Sequence, residues 1–227
     1  MMKNTARESS QKQGKKPLVL LFFDTETTGL PSRDRKVRSD PLSWPRLIEL
    51  GWILMSDDAV CLEEQSLIVK PVGFEIPSAA TDIHGISTED ALLTGMQVTE
   101  VLDRFCSSAR KADLFVAHNL SYDIRILLTE LIRLDKRDLL PSREGTCTMK
   151  SSARFCGIPG RFGKGFKWPS LSGLHLKLYE RQPESAHRAL DDARTCADCY
   201  FELVKRGVMM QTEDITGIFF SGSSRPR

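Results

Sequence analysis

Short, unbroken apolar runs dominate the first third of the chain, and helical spacing takes over later. Leu18–Phe23 is such a run, closed by Thr27-Thr28-Gly29, and reads as a buried strand. Leu47–Met55 and Val60–Val69 read as two more strands, joined by the turn Ser56-Asp57-Asp58. Three strands in succession predict an antiparallel meander. From Ser87 the period changes. Val98, Val101, Leu102 and Phe105 mark a helix, Leu114–Ala117 a strand, and Ile124, Leu127, Leu128 and Leu131 a second helix. Thr146–Met149 reads as a short last strand. Gly157–Lys167 is a Gly-rich loop, Ser170–Leu178 a short helix and His187–Arg206 a long one. The order predicts an α/β domain: a mixed five-stranded sheet, antiparallel meander first and parallel strands after, flanked by helices.

Residues 1–16 are rich in Lys, Gln and Ser with no apolar period, the pattern of a disordered basic tail. The folded domain is expected over 17–208 and a C-terminal tail over 209–227, poorly packed from Gln211 onward. Pro31–Pro45 is polar and holds Arg33, Arg35, Lys36 and Arg38; it fits a phosphate-touching loop and a merely solvated one equally well. A chain of 227 residues, 41% hydrophobic and 27% charged, is ordinary for a globular protein, and a net charge of +2 selects no partner. Six scattered cysteines favour reduced thiols in a cytosolic-type compartment. Cys196-Ala-Asp-Cys199 has no second pair beside it, so helix packing is a better reading than zinc. No run approaches a membrane span and the polar start lacks a secretion core. A cytoplasmic protein is expected, with organelle targeting left open although Glu8 counts against a transit peptide.

The chemistry lies in the carboxylates. Asp24 and Glu26 follow the first apolar run two residues apart, so on a strand they project from one side about 7 Å apart. Adjacent acids at the mouth of a buried strand are costly unless a cation joins them, and oxygen ligands suit a hard divalent ion. The plainer reading is a strand end dipping into a polar turn. Asp123 begins the helix after a strand ending at His118-Asn119, where the helix dipole alone would favour an acid. In the long helix, at about 100° per residue, Asp192 aligns with Cys196, Cys199 and Leu203 on the apolar side. Asp191 joins Arg194, Asp198, Glu202 and Lys205 on the wet side. Asp192 is therefore the ligand candidate. His187 fits the loop leading into that helix, where a lone histidine is often structural.

Asp24-x-Glu26, His118-Asn119-x-x-x-Asp123 and His187-x-Ala189-x-x-Asp192 resemble, in order, the three motifs of the DEDD exonuclease superfamily in its histidine-bearing DEDDh branch, the proofreading type. Trp44–Leu50, Ile83-His84-Gly85-Ile86 and Lys167–Leu171 also look like stretches common in these enzymes. The likeness covers about residues 17–206. It departs mildly at Leu120-Ser121, where many members carry a small residue. The family's fold is ribonuclease H-like, in keeping with the strand and helix order above.

The resemblance implies 3′–5′ exonuclease activity with two Mg²⁺ ions (or Mn²⁺) held by Asp24, Glu26, Asp123 and Asp192. It implies His187 as general base, its imidazole suited to taking a proton near neutral pH. The product would be a nucleoside 5′-monophosphate. Roles in replication, repair or proofreading would follow, with single-stranded DNA the expected substrate and RNA not distinguished from it. Thr25, Thr27, Thr28 and Asn119 are candidate contacts to the terminal nucleotide. Lys164 and Lys167, with Arg161, interleave with Phe162, Phe166 and Trp168, a pattern that suits a single strand; packing of those rings onto the domain accounts for it equally well. A phosphotransferase of the Asp-x-Asp type fits poorly, because Glu26 and the His187–Asp192 pairing have no place in it. A binding module without catalysis would have lost at least one of the five residues. A polymerase or sliding clamp is a candidate partner. Glu213–Phe220 is only faintly like a clamp-binding peptide, lacking the leading Gln, and reads better as a hydrophobic tail end. Monomer and homodimer suit the sequence equally.

Overall fold

The computed structural model describes residues 16–208 and 210–215. The expected N-terminal tail, apart from Lys16, and the chain from residue 216 lie outside them. In chain order the elements are β1 (Val19–Thr27), α1 (Arg35–Ser39), β2 (Leu47–Ser56), β3 (Cys61–Ile68), α2 (Ser78–His84), α3 (Thr88–Thr94) and α4 (Val98–Ala109). There follow β4 (Leu114–Ala117), α5 (Leu120–Arg133), β5 (Glu144–Cys147), α6 (Thr148–Cys156), α7 (Leu171–Tyr179), α8 (Ala189–Lys205) and β6 (Thr212–Asp214).

The sheet runs β3-β2-β1-β4-β5-β6. The first three strands form the expected antiparallel meander, and β4 and β5 join parallel to β1 and to each other. Five expected strands become six. Thr212–Asp214, in the segment read as a poorly packed tail, pairs antiparallel with β5, and Ile215 is buried behind it. Lys150 Nζ anchors the new edge through Glu213, 2.9 Å away. A three-residue strand carries no period of its own, so only the partner edge reveals it. The clamp-like reading of 213–220 thus begins in a strand, and its aromatic pair lies outside the described residues.

Three local expectations change. The last parallel strand is Glu144–Cys147, not Thr146–Met149, because Thr148 opens α6. The short helices α2, α3 and α6 were not legible; helices of seven to nine residues show too little apolar repeat. Pro31–Pro45 is folded locally, with Asp34 and Asp40 accepting from Lys36 N (2.8 Å) and Leu42 N (2.9 Å) at two successive helical turns.

β1 sorts the layers by parity. Leu21 and Phe23 face α4 and α5, with Phe105, Phe115, Ile124 and Leu127 in one core. Leu20 and Phe22 face α8, where Tyr200 meets Phe22 edge-on at 5.4 Å between ring centres. Both helical layers bury several large side chains, each worth about 2 kcal/mol on removal from water. The parity does not stop at the apolar run: β1 continues through the acids to Thr27, pairing Asp24 with Gly51 and Glu26 with Glu49. The ladder to β2 holds these polar residues extended. Cys196 and Cys199 pack on α8 as free, buried thiols, and burial pushes Cys199 up to about 12.

Candidate active site

Because Asp24 and Glu26 have the parity of Leu20 and Phe22, they emerge on the α8 side of the sheet, at the end of β1. The first turn of α8 brings Asp192 to them. Oxygens of Asp24, Glu26 and Asp192 all lie within 4.8 Å of one another. Asp191, one residue earlier, turns to Arg194 instead (3.2 Å). The close approach depends on Gly51. A side chain there would overlap the backbone of Ala189 and Leu190, so the helix start lies directly on β2.

Thr25 has the opposite parity and points to the α5 side. Its hydroxyl donates to Asp123 Oδ1 at 2.7 Å, and Asp123 is almost wholly buried at 2% exposure. The left-handed Asn119 (φ 80°) turns the chain from β4 into α5, and its carbonyl accepts from Tyr122 N (2.8 Å). Asp123 therefore approaches the cluster from behind. It stands outside the tight trio but within its field: Asp123 is the largest charge acting on Asp24.

That field is strongly anionic. Burial, then the charges of Asp123, Asp192, Glu26 and Glu49, holds Asp24 well above the usual carboxylate range. Burial and Asp192 push Glu26 up to about 8; burial pushes Asp123 up to about 7 despite the Thr25 hydrogen bond. Asp192 is raised too, chiefly by burial. Four acids that resist ionising together are what a divalent cation would relieve, and the donors are all hard oxygens. The residues fit such ions.

His187 precedes α8 in a left-handed conformation (φ 66°), its side chain exposed. Its backbone N–H donates to Asp192 Oδ2 at 3.2 Å, which fixes the loop to the cluster and leaves the imidazole at the rim. Thr27 Oγ1 meets Tyr122 Oη at 2.8 Å and donates to Gly29 O at 2.8 Å, while Thr28 Oγ1 accepts from Arg46 N at 2.9 Å. Beside Glu26 a cleft of about 330 Å³ is walled by Thr27, Leu30, Ala80, Ile83 and Tyr122. Lys164 and Lys167 lie on an exposed loop.

A family model described as Exonuclease, of the RNase T type, matches residues 21–200. The chain belongs to this exonuclease family. It is 29% identical over 182 residues to DNA polymerase III subunit epsilon of Treponema pallidum, spanning 80% of this chain and 74% of that protein. It is 28% identical over 201 residues to three prime repair exonuclease 2 of Mus musculus, spanning 78% and 80%. Among solved structures, the nuclease domain of 3′hExo, a DEDDh family member bound to rAMP, superposes with a TM-score of 0.64 at 15% identity over 87% of this chain and 97% of that one. Exonuclease I of E. coli with a dA16 oligonucleotide gives 0.61 at 16%, over 90% of this chain and 42% of that one. These two likenesses are of fold, ribonuclease H-like as expected. No helix among the described residues is long and apolar enough to cross a membrane.

In this exonuclease one pair at the site escaped sequence reading. Arg188, between His187 and Ala189, grips Glu49 with Nη2 at 2.6 Å and Nε at 3.0 Å, and Ala189 N adds a third donor at 3.1 Å. Burial alone would raise Glu49, but these bonds and one from Ser66 hold it below its ordinary value. The available signal was the lone carboxylate within the apolar strand Leu47–Ser56: a buried acid needs a partner.

Proposed function

We propose that the exonuclease removes nucleoside 5′-monophosphates one at a time from a free 3′ end of DNA, with RNA as the second candidate substrate. The observation that carries this is the meeting of Asp24, Glu26 and Asp192 within 4.8 Å at the end of β1, with His187 tethered to Asp192 at the rim. Asp24, Glu26, Asp123 and Asp192 would hold two divalent ions, Mg²⁺ or Mn²⁺. When bound, these would neutralise the phosphodiester, favour ionisation of water and offset charge on the leaving 3′-oxygen.

The chain's own groups supply the rest. The exposed imidazole of His187 accepts a proton from the attacking water, acting as general base at a ring nitrogen. Its left-handed backbone and the bond from its N–H to Asp192 tether the loop that carries it to the acid cluster. Thr25 donates to Asp123 and so favours its ionised form. The cleft beside Glu26 combines Leu30, Ile83 and Tyr122 with the Thr27–Thr28 backbone, a surface suited to a base and sugar. Thr25, Thr27, Thr28 and Asn119 contact or position the terminal nucleotide, while Lys164 and Lys167 meet phosphates further back. Service as a proofreading subunit beside a polymerase is a second reading, favoured by the likeness to DNA polymerase III subunit epsilon.

The test offers labelled DNA and RNA oligonucleotides with Mg²⁺ to wild type, Asp24→Ala and His187→Ala. Wild type releases mononucleotides from the 3′ end, Asp24→Ala is inert and His187→Ala keeps a trace. Activity in EDTA, full activity of Asp24→Ala, or internal cuts alone would overturn the reading.

A further inference from the structure

Between α6 and α7 the chain folds into a small hairpin. Pro159 bridges Phe166, Gly160 N donates to Gly165 O at 3.1 Å, and Lys167 N donates to Ile158 O at 2.9 Å. Its turn demands glycine, since a side chain on Gly160 would overlap the carbonyl of Lys164. Phe162, at the tip, is held left-handed (φ 56°) and is 92% exposed; Phe166 and Trp168 are 49% and 56% exposed. Phe162 is bare, and Phe166 and Trp168 each keep about half of their surface in water. That exposure leaves ring faces free for a ligand. Arg161, Lys164 and Lys167 alternate with the rings, and none of the three makes an ion pair among the described residues.

The hairpin is fastened at its base to the end of β4, the strand that leads into the Asp123-bearing helix α5. His118 lies next to the end of β4, five positions before Asp123. Its Nε2 lies 3.1 Å from Pro169 O and its Nδ1 2.9 Å from Thr148 Oγ1. Buried, the ring stays neutral, so one nitrogen donates to the carbonyl and the other accepts from the hydroxyl. Bare aromatic faces are costly in water, and a left-handed Phe adds backbone strain. Rings and unpaired cations in alternation match unpaired bases and the phosphates between them; a protein partner would call for a continuous apolar face instead.

We propose that this hairpin is a stacking platform for single-stranded nucleic acid, engaging the nucleotides upstream of the one being removed. The inference rests on the exonuclease reading, since it places the 3′ terminus at the acid cluster. Phe162 and Trp168 stack bases, and the neighbouring cations hold the intervening phosphates. The platform makes binding depend on strand length and on bases being unpaired.

The test measures fluorescence anisotropy in Mg²⁺ with 5′-labelled oligothymidylates of about 4 and about 12 nucleotides, ended by 3′ phosphorothioates that resist hydrolysis. Wild type is expected to bind the longer strand about 100-fold more tightly, and Phe162→Ala/Trp168→Ala to lose most of that preference. Both side chains are exposed, so the melting temperature checks that the variant is folded. A duplex lacking unpaired bases should show no such loss. A wild type without length preference, a variant that keeps it, or an equal loss on duplex would overturn the proposal; the first of these would point to a protein occupant. Nucleotide release from unmodified strands tests the exonuclease reading separately, because binding is read without turnover.

Discussion

Arg188 and Glu49, 139 positions apart, join the loop that carries His187 to β2 through a two-pronged ion pair of 2.6 and 3.0 Å. Glu49 is fully buried and sits opposite Glu26 in the ladder, so the pair also sets one cation beside the acid cluster. Arg188 keeps nearly half its side chain in water, which weakens the pair as a source of stability and leaves placement as its main effect. Glu49→Gln should lower kcat/KM about 10-fold or more, the scale seen when groups supporting an active site are removed. Arg188→Lys, which loses the fork but keeps the charge, should fall between. Activity of Glu49→Gln within a factor of about two of wild type would show that the loop is placed by other contacts.

Gly51 is expected to be as demanding as a catalytic group. Gly51→Ala would put a methyl into the backbone of Ala189 and Leu190 and push the start of α8 from the sheet. Asp192 would move with it, away from Asp24 and Glu26. A displacement near 1 Å at a reacting centre costs on the order of 100-fold in rate. Steady-state kinetics, with a melting curve to show that the fold survives, reads the effect. Wild-type turnover would mean the helix start can yield without moving Asp192.

The acid cluster makes the cation-free protein's stability fall as pH rises. Glu26 and Asp123 hold their protons to about 8 and about 7 in the folded state, whereas the unfolded chain releases them in the ordinary carboxylate range. Below that range both states are protonated and the groups contribute nothing. As pH rises towards the folded values the unfolded chain is favoured increasingly. Without cations the protein should melt higher near about pH 5.5 than near about pH 8, and Mg²⁺ should raise the melting temperature most at the higher pH, where protons no longer compete. Calorimetry in EDTA and in Mg²⁺ decides this. A cation-free melting temperature that climbs over this window contradicts the sign.

Thr25 offers a finer handle on the same field. Its hydroxyl bond favours the ionised form of Asp123, so Thr25→Val should raise Asp123 further. The acid limb of the pH–rate profile should then move to higher pH, with a greater Mg²⁺ requirement at neutral pH. An unmoved limb would show that Asp123 does not control it.

Strand and helix order, the meander and the acid-bearing segments were all readable, because apolar spacing reflects which faces are buried. So was the contrast between Asp191 and Asp192, since helical geometry separates neighbours by about 100°. The edge strand Thr212–Asp214 and the short helices around Ala80 and Ala91 were not, because each depends on a neighbour from elsewhere in the chain. Glu49 was visible only as an unexplained acid in an apolar strand. Its partner, 139 residues on, is adjacent only after folding.

By itself the amino-acid order determined which residues could do chemistry: three acid-bearing segments, one histidine before a helix, and rings alternating with cations. Tertiary structure alone decided their arrangement. It drew Asp24, Glu26 and Asp192 together on one face, set Asp123 behind them through Thr25, and left Phe162 in water. The reason is physical. Periodicity reports burial along one element, whereas distances between elements follow from how their faces pack, as the bare backbone of Gly51 does for α8.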